Sequence, residues 1–239
     1  MKKILSFLLT VLLVFSATLP MSASAETVSI ATRTTTGKTA ILEADLSLKK
    51  SVDTVNALLA SEDIDEVIVL APSFSEDDVI PTMPSRIMPM PDINVIVYRA
   101  TNVVNGTNWT GNSTIAIATG TPGITLKIDQ IKSVSCTFSS TVGISANDVS
   151  SAVGFSVTKG ENISIGGSYK VPTKFNNKAV KSASLIAKTV YSRKNFTVQS
   201  RKTVAFVPIS NWANVGSGSG SGSASKPCGV SFTKTYVYK

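Results

Sequence analysis

Histidine is absent from all 239 residues of the chain. That removes the imidazole general base, the Ser-His-Asp and Cys-His nucleophiles and every His-containing zinc site. Cysteine is nearly absent as well: Cys136 and Cys228 are too few for a thiolate metal site, so no metal, no cofactor and no catalytic residue is predicted. Charge is sparse at 16 % of residues while hydrophobic content reaches 43 %, which excludes wholesale disorder, a state that needs low hydrophobicity and high net charge. Beyond the N-terminus, no apolar run approaches the roughly 20 residues a membrane-spanning helix requires. Paired carboxylates or a Ser-Lys arrangement would still serve an enzyme, which leaves a histidine-free secreted hydrolase as the second alternative to a non-enzymatic reading.

Acids are the other scarcity, and a local one. Residues 93–239 hold three, Asp129, Asp148 and Glu161, against sixteen bases, a net of +13. Residues 26–92 hold twelve acids against five bases, a net of −7. The two parts are expected to attract one another, and the basic part to bind polyanions. Pro81, Pro84, Pro89 and Pro91 mark the boundary as an extended connector. The acidic part is a candidate propeptide or intramolecular mask. Its clusters Glu62, Asp63, Asp65, Glu66 and Glu76, Asp77, Asp78 lack calcium-loop spacing and read as a solvated face.

At the start stand Lys2 and Lys3, an apolar run over 4–15, and Ala23-Ser24-Ala25 before Glu26. This order predicts a secretory signal peptide over 1–25, cleaved after Ala25, and a secreted, extracellular protein of Gram-positive-like bacterial export. In an oxidising space the two cysteines predict a Cys136–Cys228 disulfide; two unbridged thiols are the alternative. Such a bond would contribute about 4–5 kcal/mol in the chain-entropy model.

The predicted fold is mainly β: an antiparallel β-sandwich or elongated sheet over 93–215, preceded by a small α+β acidic segment over 26–92. In that segment, strands are expected over 27–32, 40–46 and 66–70, with a helix between them carrying Val52, Val55, Leu58 and Leu59 on one face and Ser51 as its N-cap. Further strands are expected over 93–98, 114–119, 124–131, 153–158, 163–171, 183–191 and 196–207, where β-branched and aromatic residues alternate with Gly, Asn, Ser and Pro. Residues 216–225 are Gly/Ser-rich and read as a flexible linker. The final segment, 226–239, is expected to dock back as a strand.

Period two is clearest over 133–145, where Val134, Cys136, Phe138, Val142 and Ile144 alternate with serine, threonine and glycine. With Val153, Phe155 and Val157 continuing in the same style, the pattern defines a candidate membrane hairpin. In this pattern alone, over residues 133–171, it resembles the insertion hairpin of aerolysin-type pore-forming toxins. The resemblance implies a membrane-active, bacteriocin-like protein that would act as a homo-oligomer.

A second candidate surface is the basic stretch Lys170, Lys174, Lys178, Lys181, Lys188, Arg193, Lys194, Arg201 and Lys202, interleaved with Phe175, Tyr191 and Phe196. Bases with aromatics suit anionic polymers, and export argues against nucleic acid as the partner. Anionic cell-wall polymer or an anionic lipid surface is the expected target. The leading expectation is therefore a secreted, non-enzymatic, cell-surface-binding β protein.

Overall fold

The computed structural model describes residues 28–32, 38–72, 94–204, 207–215 and 220–239. The expected signal peptide, its expected cleavage residues Ala23 and Ala25, and the proline-rich connector lie outside them. The protein is mainly β, with 66 % of the described residues in strands and 11 % in helices, and its sheets are curled.

Two long antiparallel strands organise the molecule, β10 (Lys178–Val204) and β13 (Gly220–Tyr238), paired from Val180↔Tyr238 to Val198↔Gly220. Each carries two shorter strands end to end along its other edge. Against β10 lie β5 (Trp109–Gly120), which pairs with Ala183–Tyr191, and β4 (Asn94–Asn105), which pairs with Lys194–Val204. Against β13 lie β3 (Ile64–Leu70) and β7 (Thr137–Ser140). Two strands expected over 183–191 and 196–207 are thus one strand: Ser192 and Asn195, turn formers by residue type, are held extended by pairing with β13 on one side and, at Asn195, with β4 on the other.

The acidic part extends the same sheet. Strand β1 (Val28–Thr32) pairs antiparallel with β2 (Lys38–Glu43), which runs parallel to β3 through helix α1 (Lys49–Ala60). A parallel pair needs such a crossover, and the helix covers the sheet with Val55 and Leu59, both fully buried. Ser51 is not the N-cap, a place Leu48 takes; it lies within the helix and is buried.

Separately, β6 (Thr125–Ser135) and β8 (Gly160–Lys170) form a two-stranded ribbon. Short strands complete the element list: β9 (Lys174–Phe175), β11 (Val207–Pro208) and β12 (Ala213–Asn214), all pairing with β10. Asn176 and Asn177, both at positive φ, turn β9 into β10. That is the conformation a two-residue hairpin turn demands, and asparagine tolerates it.

Two cores result. The larger joins Leu42, Val55, Leu59, Val67 and Val69 of the acidic part to Leu126, Ile165, Leu185, Val230 and Phe232 of the basic part. The smaller gathers Cys136, Ile144, Val149, Val153, Phe155, Val157, Phe196, Val198 and Ala224 around helix α2 (Ala146–Val153). Along β10 the larger core takes Ala183, Leu185 and Ala187, whereas the smaller takes Phe196 and Val198. Since side chains alternate across a strand, the cores occupy opposite faces of the long ribbon. The switch is made by bulges in the neighbours of β10, whose registers shift beside Lys188–Val190, Val190–Tyr191 and Asn195–Thr197. An extra residue inverts the side-chain alternation of the strand that carries it.

Three sequence expectations are corrected here. The Gly/Ser segment is not a flexible linker over its described length: Gly220–Ser225 belongs to β13, paired with β10 and β7. Gly222 lies opposite Phe196, whose ring occupies the space a side chain there would need. The aromatic thereby covers the exposed glycine backbone, so the segment orders without side chains of its own. Secondly, the alternating run over 133–145 is not one strand. Val134 lies next to the end of β6, Phe138 lies in β7, and Val142 and Ile144 follow it outside any strand. Ser145 then caps α2, its hydroxyl meeting the Asp148 amide at 3.2 Å and carboxylate at 2.6 Å. Finally, the strand expected over 153–158 is absent: Val153 closes α2, and Phe155 and Val157 are buried beyond it. The candidate hairpin residues therefore do not form a hairpin.

Candidate functional site

Below the bulges, the face of β10 turned away from the smaller core carries Tyr191, Arg193, Asn195, Thr197, Gln199 and Arg201 at every second position. Register places Arg99 of β4 beside Gln199, and Trp109 of β5 beside Tyr191. The result is a strip of aromatics, guanidinium groups and small polar side chains.

At one end, Trp212, between β11 and β12, lies under two cations: Arg99 Cζ is 4.3 Å and Arg201 Cζ 4.5 Å from its ring centroid. Gln199 Oε1 accepts from Arg99 Nε at 3.0 Å and Nη2 at 2.7 Å, and its amide nitrogen donates to Asn214 Oδ1 at 3.2 Å. At the other end, Arg193 Cζ lies 5.3 Å from the Trp109 ring, which stacks on Tyr191 at 4.9 Å and 17°. The Nε atoms of Arg193 and Arg201 are buried without a hydrogen-bond partner among the described residues. Arg193 and Arg201 are eight residues apart, about 27 Å along the strand at ~3.4 Å per residue.

Between the two ends lies an open depression of about 560 Å³, whose wall joins the amides and hydroxyls of Asn102, Ser139, Asn195 and Thr197 to the apolar Val104 and Phe196. Asn102, at φ 50°, is the residue where β4 shifts register, and its side-chain amide donates to Thr197 Oγ1 at 3.2 Å.

Charge on this face is one-sided. Asp129 pairs with Lys127 at 2.8 Å, Glu161 with Lys226 at 3.4 Å, and Asp148 is engaged by Ser145. Among the described residues, no carboxylate pairs with Arg99, Arg193 or Arg201.

The nine bases singled out in the sequence do not make one surface. Lys170, Lys174, Lys178 and Lys181 are exposed at the far end of β10, where Lys178 Nζ stands 5.6 Å over Tyr238. Lys188, Lys194 and Lys202 project from the face opposite Arg193 and Arg201. Lys194 is committed to structure, donating to Val153 O at 2.8 Å and so satisfying the C-terminal turn of α2. The strip keeps Arg193 and Arg201 and adds Arg99, Trp109 and Trp212, which the sequence reading missed. A density of bases within one stretch of chain does not register a residue brought alongside from another strand.

The cysteines are not joined. Neither Cys136 nor Cys228 is in a disulfide in the structure. Cys136 is buried in the smaller core, with its amide donating to Lys159 O at 3.0 Å. Cys228 is the extra residue of the β13 bulge and lines a cavity of about 330 Å³ between the acidic part and β8. Burial pushes the Cys228 thiol up to about 11, so it stays protonated and poorly nucleophilic at neutral pH. Among the described residues no group of three acids or thiols could hold a metal ion, and no helix is long and apolar enough to cross a membrane.

Fold and strip together define a mainly β protein with two cores and a cationic, aromatic outer face. No family model, curated protein or solved structure matches the chain.

Proposed function

We propose that the chain is a secreted, non-enzymatic β-sheet protein whose basic part associates with anionic polymer at a cell surface. The observation that carries this reading is the set of three guanidinium groups on one sheet face, each against an indole ring and none with a carboxylate partner among the described residues. Arginine presents a planar fork of donors that matches phosphate and carboxylate; Gln199 engages Nε and Nη2 of Arg99, so the anion would be met by the terminal nitrogens of Arg193 and Arg201. A guanidinium already ordered against a ring loses less freedom on binding than a solvated lysine. The exposed Lys170, Lys174, Lys178 and Lys181 add long-range attraction without fixing geometry.

The test is binding of the full chain to purified anionic cell-wall polymer and, separately, to anionic and neutral vesicles. Affinity for the anionic targets is expected to fall steeply as salt is raised, because counter-ions screen exposed charges beyond about 10 Å at 0.1 M. Replacing Arg99 and Arg201 together by glutamine should weaken binding and flatten its salt dependence. Binding that ignores salt, or that survives the double replacement unchanged, would reject the reading.

A further inference from the structure

Each end of the cationic face offers one guanidinium to an anion. At the first end Gln199 holds Nε and Nη2 of Arg99, which leaves Arg201. At the other end Arg193 stands over Trp109. A single half-buried guanidinium at a sheet surface binds one anionic group weakly, because water and salt screen the pair. The two lie on one face of one continuous strand, about 27 Å apart at ~3.4 Å per residue. Where a single chain carries both anionic groups, the second contact is intramolecular. Its effective concentration is then near zero for a chain too short to span the two sites and greatest for one that matches them.

The ground between the ends restricts what that chain is made of. No charged side chain lines the depression there. Its exposed Ser139, Asn195 and Ser221 present hydroxyl and amide groups, which donate and accept alike. Phosphate and carboxylate oxygens only accept, so an unbroken row of anions leaves the acceptors of this surface unmatched. Hydroxyls on the ligand match both. The aromatic rings add a second restriction. Trp212 already carries Arg99 and Arg201, while Trp109 carries Arg193 and stacks on Tyr191. Both indoles serve as supports for guanidinium groups. Stacking of nucleobases, the usual mode for single-stranded nucleic acid, would have to displace those contacts.

We infer, on the reading that the target is an anionic polymer, that this face takes one linear chain lying along β10, with hydroxyl-bearing units over the central depression and an anionic group on each of Arg193 and Arg201. A polyol phosphate and an acidic polysaccharide share that chemistry. Length, and not charge alone, is then a condition of tight binding.

Oligomers of glycerol phosphate and of galacturonate, graded in extended length from well below to well above about 27 Å, test this on the full chain. Binding is followed by the indole N–H resonances of the two tryptophans. Affinity should step up by at least about tenfold where the oligomer becomes long enough to span both ends, and the series that shows the step names the anion as phosphate or carboxylate. Above the step the Trp109 and Trp212 signals should move with one midpoint. Arg193→Gln and Arg201→Gln, each alone, should abolish the step and return long oligomers to the affinity of short ones. Asn195→Ala, at an exposed position, should weaken long oligomers by about threefold, and it decides the matter if an arginine variant does not fold. Affinity that climbs smoothly with charge and shows no step, signals that move with separate midpoints, or equally tight binding of oligodeoxythymidylate of matched length would overturn the proposal and leave the anionic reading in place. No binding of any polyanion would reject that reading as well.

Discussion

Lys234 reaches from β13 to the end of α1, where Nζ donates to Leu59 O at 3.0 Å and Ser61 O at 2.8 Å and stands 5.2 Å over the Tyr169 ring. Burial lowers its pKa to about 8, against the opposing pull of Asp65 and Glu62. In the unfolded chain the same amine titrates near ~10.4, so between those values the unfolded state holds more protons than the folded one. The buried ammonium is a penalty present below about pH 8 and relieved as pH rises through that window. Tyr169 and Tyr236, whose hydroxyls meet at 2.8 Å, act in the opposite sense above about pH 10, because burial raises both phenols and the unfolded state ionises first. The melting temperature is therefore expected to climb between about pH 8 and 10 and to turn down beyond. Thermal melts should show Lys234→Met flattening the climb; a variant with an unchanged slope would assign it to another group. The cysteines offer a second test at this scale. Alkylation in denaturant without reductant should modify both Cys136 and Cys228, as read by mass. In the native protein both should react slowly, since one is buried and the other protonated. A mass showing an unmodified, bridged pair would contradict the structure.

Strand β13 depends on close backbone approach where it meets β3. A side chain at Gly229 would collide with the Val69 carbonyl, and this pairing holds Phe232 against Val67 in the larger core. Gly229→Ala is expected to destabilise by at least about 1–3 kcal/mol, the range for overpacking, measured by chemical denaturation. A neutral substitution would mean that β3 and β13 can separate at little cost. Helix α1 was legible, as were parts of β3, β4, β5 and β8, expected over 66–70, 93–98, 114–119 and 163–171, because β-branched residues and the i, i+3, i+4 pattern are local signals; the stretch 99–113, which completes β4 and β5, was not. The failure at 133–145 has a physical cause. Alternation tells which side chains face one way if the chain is extended, but not which partner extends it. At Cys136 the chain leaves β8 for β13, and Ser145 with Asp148 starts a helix that a turn reading of Ala146-Asn147-Asp148 does not anticipate. The Gly/Ser segment failed in the other direction, because its order comes from Phe196, more than twenty residues away in sequence.

For the whole molecule, opposite net charge in its two parts is joined to a shared core. Leu42, Val55, Leu59, Val67 and Val69 pack with Leu185, Val230 and Phe232, and the buried Glu66 carboxylate accepts from Ser231 Oγ at 2.7 Å. A fragment beginning at residue 94 should therefore fail to melt cooperatively by calorimetry, having lost one wall of the larger core and the edge pairing of β13. A fragment that melts like the full chain would show the acidic part to be dispensable. What the sequence by itself determined was the class: a histidine-free, mainly β protein with charge divided at about residue 92. Composition and period are local properties, and they survive without knowledge of partners. Only tertiary structure decided that the two charge halves share one sheet, that the cysteines lie in different surroundings, and that Arg99, Arg193, Arg201, Trp109 and Trp212 share one face. Those outcomes depend on register between strands distant in the chain and on bulges that move the core from one face to the other, neither of which is written in any single segment.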